Sequence, residues 1–205
     1  MISPNPDVRP YNPVKGFSKT PWPLSDRPLF VEIGAGVGWF GLQEAHARPC
    51  HDFIAIEHTR TRFHKFERRL ENHPALTNLK AIHADAIPWI TQHLGPESVD
   101  GYYILYPNPY PKAKQRNKRW HAMPFMAHCI ETLKPGGQIT LATNETFYAD
   151  EALQFFLDAW KLTLVERTTL TNPTLTPRTH FEKKYLDRGE ICHNLVVEKP
   201  ALQDD

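Results

Sequence analysis

The chain predicts an α/β fold: a largely parallel, seven-stranded sheet with helices on both faces and an antiparallel pair at one edge. Three observations carry that expectation. Apolar runs alternate with helical stretches from residue 29 onward, a glycine-rich turn follows the first run, and no good helix separates the last two runs. Alternation of this kind argues for a parallel sheet covered on both faces.

The predicted strands are Leu29–Ile33, Phe53–Glu57, Leu79–Ala84, Val99–Tyr106, Gln138–Thr143, Leu162–Thr169 and Ile191–Glu198. Helical stretches lie near 39–48, 60–72, 86–94, 119–133 and 146–160. The final two strands read as the antiparallel edge pair. Residues 1–28 carry seven prolines, which forbid an ordinary helix, so this segment reads as an extended arm before a domain at 29–199 and a tail at 200–205.

Composition bounds the function. With 205 residues, 40% hydrophobic and 23% charged content, the chain suits one globular domain. A net charge of +1 means that any affinity for nucleic acid comes from a local patch. No apolar stretch approaches the roughly 20 residues that span a bilayer, so no membrane role is expected. Cys50, Cys129 and Cys192 lack metal-ligand spacing and favour reduced thiols in the cytoplasm. The histidines are spaced singles such as His46, His51, His58 and His64, and no metal site is expected.

The most informative stretch is Glu32-Ile33-Gly34-Ala35-Gly36-Val37-Gly38, where a buried strand runs into a turn and then a helix. Glycine tolerates positive φ and lets a ligand lie against the backbone, while the helix start offers N–H groups to an anion. Glu57 ends the second strand about 20 residues later, where an acid can accept from both ribose hydroxyls. Asp85 and Ala86 stand at the third strand tip, suited to an adenine amino group and ring. Glu32 would repel a pyrophosphate but can bind the ammonium of a methionine moiety. S-adenosylmethionine therefore fits better than NAD.

The fourth strand ends in Tyr106-Pro107-Asn108-Pro109-Tyr110-Pro111-Lys112, whose alternating prolines fix where Asn108 and Tyr110 point. Lys112, Lys114, Arg116, Lys118 and Arg119 follow with no acid among them, a candidate phosphate-backbone patch beside the reaction loop. Tyr110 or Trp120 can stack on a base.

Together these residues resemble the bacterial tRNA (guanine-N7)-methyltransferase family, a branch of the Rossmann-like class I S-adenosylmethionine-dependent methyltransferases. The matching segments are Val31-Glu32-Ile33-Gly34, Ala55-Ile56-Glu57, His83-Ala84-Asp85-Ala86 and Tyr106–Lys112. Leu133-Lys134-Pro135-Gly136-Gly137, Ala142-Thr143-Asn144 and Thr179-His180-Phe181-Glu182 follow in the family's order, so that the likeness covers residues 29–199. The resemblance implies methyl transfer to guanine N7 in tRNA, at variable-loop position 46, by a cytoplasmic monomer or homodimer. It implies cofactor contacts from Glu32, Gly34, Gly36, Gly38, Glu57, Asp85 and Ala86. It implies substrate contacts from Asn108, which takes the catalytic place, and from Lys112, Asn144, Thr179 and Glu182.

At two positions the chain departs from the pattern. The family's loop has Pro-Asp-Pro-Trp where this chain has Pro107-Asn108-Pro109-Tyr110, and its fifth strand ends Ala-Thr-Asp where this chain has Ala142-Thr143-Asn144. Guanine N7 carries a lone pair and no proton, so methylation there needs alignment rather than a general base. An amide accepts more weakly than a carboxylate and can also donate. Asn108-Pro109-Tyr110 is also similar to the Asn/Asp-Pro-Pro-aromatic loops of methyltransferases acting on exocyclic amines. Another base, another RNA or a small amine is thus one alternative target, and a non-catalytic RNA-binding subunit on the same scaffold is another.

Overall fold

The computed structural model describes residues 8, 10–12, 20–23, 25–172 and 176–201. The sheet has seven strands: β1 (Leu29–Ile33), β2 (Asp52–Glu57), β3 (Leu79–His83), β4 (Val99–Leu105), β5 (Leu133–Thr143), β6 (Thr163–Leu170) and β7 (Cys192–Glu198). Their order is β3-β2-β1-β4-β5-β7-β6. The first five are parallel, and β7 lies antiparallel between β5 and β6. The predicted fold class is borne out, edge pair included.

Among the described residues six α-helices cover the faces: α1 (Trp39–Ala47), α2 (Arg60–Glu71), α3 (Ala86–His93), α4 (Phe125–Thr132), α5 (Thr146–Gln154) and α6 (His180–Leu186). Alternate strand residues divide the core between the two faces. Val31, Ile54, Ile56, Ile104 and Leu141 pack with Ile90 of α3, Phe125 and Met126 of α4 and Tyr148 of α5. Phe53 and Ala55 meet Leu42 of α1 and Phe66 of α2, while Leu105 and Ala142 meet Phe40 of α1 and Leu186 of α6. The strand order reverses between β1 and β4, which opens a crevice at their carboxyl ends.

Two elements differ from the expectation. The helix predicted over 119–133 is broken: a short 3-10 turn at Trp120–Ala122, preceded by another at Ala113–Lys118, comes before α4 begins. Pro124 forces Met123 into extended geometry (ψ 148°), and that stops a continuous helix. Conversely, α6 forms between the last two strands. It starts with half a capping box: Thr179 Oγ1 accepts from the Glu182 N–H at 3.0 Å.

The described part of the proline-rich arm packs beside α3 and α4, on one face of the sheet. The N–H groups of Thr20 and Trp22 donate to the Gln92 and His93 carbonyls, which the end of α3 leaves unpaired. Trp22 meets Trp89 at 5.4 Å and Tyr11 meets Phe125 edge-on at 5.4 Å. The rest of the arm, and tail residues 202–205, lie outside the described residues.

Candidate active site

The crevice holds a cleft with two lobes. One, about 410 Å³, is lined by Glu32, Gly34, Gly36, Trp39, Arg62, Lys65, Arg69, Phe181 and Lys184, among others. The other, about 230 Å³, is lined by Glu57, Ala84, Asp85, Ala86, Pro107, Asn108 and Trp120. Gly34, Arg62, Leu105 and Phe181 border both, so the lobes adjoin.

The turn after β1 shapes the first lobe. Gly34, Gly36 and Gly38 all have positive φ (80°, 58° and 81°). A Cβ added at Gly34 or Gly36 would meet no protein atom, so both present bare backbone to the cleft. Gly38 is different. Its Cβ would collide with the Phe66 ring, so this glycine serves the packing of α1 on α2 and stands off the cleft wall.

Glu32 is 5% exposed and its Oε2 has no hydrogen-bond partner among the described residues. Burial pushes its carboxyl up to about 8, and Glu57 and Glu44 add to the rise against a lowering contribution from the Gly41 N–H. The start of α1, expected to receive a ligand anion, thus already has a protein carboxylate against it. A pyrophosphate does not fit there; an ammonium group does, because it would supply the missing partner of a buried carboxylate. Glu57 is also buried, and its carboxylate accepts from the Gly36 N–H at 2.8 Å and the Thr59 N–H at 2.6 Å. This pins the glycine turn to the tip of β2 and leaves further lone pairs for ribose hydroxyls. Asp85 caps α3 by accepting from the Ile87 N–H at 3.1 Å, with Ala86 buried behind it.

On the substrate side β4 is followed by Tyr106, which has φ 54° and donates its hydroxyl to Glu182 Oε2 at 2.7 Å. Asn108 is exposed, and its Oδ1 accepts from the Tyr110 N–H at 3.2 Å. Because a backbone N–H only donates, the side-chain atom facing it is the oxygen, and the Asn108 NH₂ is turned outward. Asn144 is half-buried at the tip of β5 and donates from Nδ2 to Glu190 Oε2 at 2.8 Å, leaving its oxygen as an acceptor.

The basic run divides. Lys112, Lys114 and Lys118 are exposed, with the Lys118 ammonium 5.7 Å over the Tyr110 ring. Arg119 is buried: it bonds Glu151 at 2.5 Å and grips the Tyr110 carbonyl with Nε and Nη2, at 3.2 and 2.9 Å. Arg116 meets the other Glu151 oxygen at 3.1 Å. Both arginines are thereby withdrawn from the expected phosphate set, because a carboxylate 32 residues away in the Arg119 pair claims them.

Glu182 is likewise not presented to a substrate. It is 1% exposed and accepts from the Arg178 backbone N–H, the Arg178 guanidinium and Tyr106. Those donors hold its carboxyl below the ordinary value. Thr179 caps α6 and also borders the first lobe. Arg62, Lys65, Trp39, Phe181 and Lys184 line the cleft without having been predicted as site residues. For Arg62 and Lys65 the signal was the cationic density of residues 60–72, and Phe181 stood inside the matched Thr179–Glu182 segment.

Another hollow, about 370 Å³, opens beside the amino ends of β1 and β2. Its Arg27 pairs with Asp52 at 3.5 Å and its Lys134 with Asp100 at 2.7 Å. No orphaned polar atom among the described residues lines it.

A sheet of this order, with a glycine turn after β1, an acid at the next strand tip and an orphaned carboxylate beneath the turn, defines a class I S-adenosylmethionine-dependent methyltransferase. Solved structures share the fold. The 16S rRNA (adenine(1408)-N(1))-methyltransferase from Catenulisporales acidiphilia, solved with S-adenosylmethionine, matches with TM-score 0.64 and 14% identity over 88% of this chain and 89% of that one. The [4+2]-cyclase SpnF matches with TM-score 0.61 and 12% identity over 87% and 77%, so this fold alone does not set the reaction.

A family model described as "Putative methyltransferase" matches residues 26–195. The tRNA (guanine-N(7)-)-methyltransferase of Nitrosomonas eutropha is 32% identical over 190 residues, 90% of this chain and 84% of that protein. Its namesake from Burkholderia lata is 31% identical over 96% and 73%. The chain belongs to the tRNA (guanine-N7)-methyltransferase family.

Proposed function

We propose that this chain transfers a methyl group from S-adenosylmethionine to guanine N7 in tRNA, at variable-loop position 46. The observation that carries the reading is the shared lobe: Asn108 of the reaction loop lines the same hollow as Glu57 and Asp85. A base held by the loop then faces the bound cofactor. The relatives named for this activity support the same reaction.

In this reading Glu32 receives the methionine ammonium, Glu57 the ribose hydroxyls and Asp85 the adenine amino group, while Gly34, Gly36 and Ala86 give close backbone or ring approach. When bound, S-adenosylmethionine supplies an electrophilic methyl on a sulfonium. N7 brings its own lone pair, so the chain supplies alignment and excludes water. The outward NH₂ of Asn108 donates to guanine O6, where adenine carries an amino group instead. The Asn144 oxygen, with Glu190 behind it, accepts from guanine N1–H and supports the charge that N7 methylation places on the base. The exocyclic-amine reading would require the Asn108 oxygen to accept a second hydrogen bond beside that from the Tyr110 N–H.

Each element of the cleft comes from one chain, so activity is expected of a monomer and of a homodimer alike. We place the activity in the cytoplasm, in keeping with three free thiols. Among the described residues no helix is long and apolar enough to cross a membrane. The test is purified protein with labelled S-adenosylmethionine and bulk tRNA, followed by nucleoside analysis. 7-methylguanine at position 46 is expected. Label in another nucleoside, or none above the cofactor-only control, sinks the assignment.

A further inference from the structure

Arginine pairing in this protein follows a rule with one exception. Among the described residues, all seven arginines outside α2 reach a carboxylate within 4 Å: Arg27, Arg48, Arg116, Arg119, Arg167, Arg178 and Arg188. The four arginines of α2 (Arg60, Arg62, Arg68 and Arg69) reach none, and neither does Lys65 between them. Arg60, Arg62, Lys65 and Arg68 are exposed.

The spacing makes this costly. Arg62 and Lys65 are three apart, as are Lys65 and Arg68, while Lys65 and Arg69 are four apart. Neighbours at those offsets share a helix face, and like charges there destabilise the helix. An anion laid along the face relieves that repulsion. Arg62, Lys65 and Arg69 line the first lobe together with Lys184 of α6, so the ladder runs outward from the cleft itself.

We propose that α2, extended by Lys184, is a phosphate-binding rim that holds the RNA backbone on the far side of the cleft from Lys112, Lys114 and Lys118. The helices assign the two sides: α2 and α6 pack on one face of the sheet, whereas the lysine loop leads into α4 on the other. From Arg62 to Arg69 the ladder spans about 10 Å of helix axis. A single amino-acid carboxylate cannot cover that length; a polyanion can. The RNA then bridges the crevice, with its target base over Asn108. This rests on the RNA-methylating reading above.

The test compares the full-length protein with R68Q, exposed, on the ladder and outside the cofactor lobes. Binding of bulk tRNA is measured from about 50 to 200 mM salt, with S-adenosylmethionine titrated by calorimetry in parallel. The variant should bind tRNA about threefold more weakly and lose about one unit of the salt slope, with cofactor affinity unchanged. Wild-type tRNA affinity and slope in the variant overturn the rim, as does loss of cofactor binding alone. If wild-type protein binds tRNA and the variant binds less, but no nucleoside is methylated, the rim stands and the catalytic reading falls. A wild-type protein that retains no tRNA overturns both.

Discussion

Glu32 and Glu151 are buried to nearly the same extent, 5% and 8% exposed, yet their surroundings push them in opposite directions. Glu151 receives Arg119 at 2.5 Å, His121 at 2.8 Å and Arg116 at 3.1 Å, and these donors outweigh burial to hold its carboxyl down at about 2. Glu32 has only the Gly41 N–H, and burial carries it up to about 8. Fixing a carboxylate inside a protein is unfavourable in both cases. Where the protein supplies the partners, the group is architectural; where it leaves one out, the partner comes from outside. The difference separates the frame of this enzyme from its proposed cofactor site.

The largest effect is expected at Glu151. E151L leaves Arg119 and His121 buried without their acceptor, which costs about 3–5 kcal/mol. Urea unfolding should show a lower midpoint, and the melting temperature should fall by about 10 °C. Because Arg119 also grips the Tyr110 carbonyl, the reaction loop loses its anchor and KM for tRNA should rise. An unchanged urea midpoint breaks the comparison at its architectural end.

Glu32 comes next, with effects of opposite sign on fold and function. Its raised folded value means that the native state binds the proton more tightly than the unfolded chain. The contribution is therefore whole below about 4.5 and is lost as pH rises toward 8. The Glu151 contribution runs the other way, present above about 4.5 and lost as pH falls toward 2. His121, held below its ordinary value by burial, also withdraws stability as pH falls through 6.5. E32Q should flatten the alkaline limb of a stability–pH curve and leave the acid limb intact. Its S-adenosylmethionine affinity at pH 8 should drop by about 10–100-fold, the loss of a charge-assisted bond of about 1.5–3 kcal/mol. Wild-type affinity should strengthen between pH 6 and 8 as Glu32 ionises to meet its ligand. Equal cofactor affinity for E32Q and wild type across that range removes Glu32 from the site.

The same contrast explains what could be read before the fold was known. The glycine turn, Glu32, Glu57 and Asp85 are local: each stands at a strand tip, so the chain's own alternation places it in the crevice. Partner choice is not local. Nothing near Arg119 indicates that Glu151 would bury it, and nothing near Asn144 points to Glu190, which lies 46 residues on. The break in the helix over 119–133 was available in Pro124, whose effect on Met123 outweighs the helical pattern around it. The seven-residue α6 is too short to show a period, although Thr179 and Glu182 stand at capping-box spacing.

Thr179 sharpens the comparison at its smallest scale, because it belongs to both sides. Its hydroxyl caps α6 by accepting from the Glu182 N–H, and its residue borders the first lobe with His180, Phe181 and Lys184. Removing a cap of this kind costs about 1 kcal/mol. In T179A the saturated carboxylate beside it keeps Arg178 and Tyr106, so α6 stays docked while its first turn loosens. That turn carries Phe181, one of the four residues that border both lobes. T179A should therefore lower the melting temperature by about 2–4 °C and weaken S-adenosylmethionine binding severalfold. The conservative substitution T179S keeps the hydroxyl and should restore both. If T179A shifts the melting temperature but leaves cofactor affinity untouched, the first turn of α6 is frame alone, and the boundary between frame and site lies on the α1 and α2 side of the cleft.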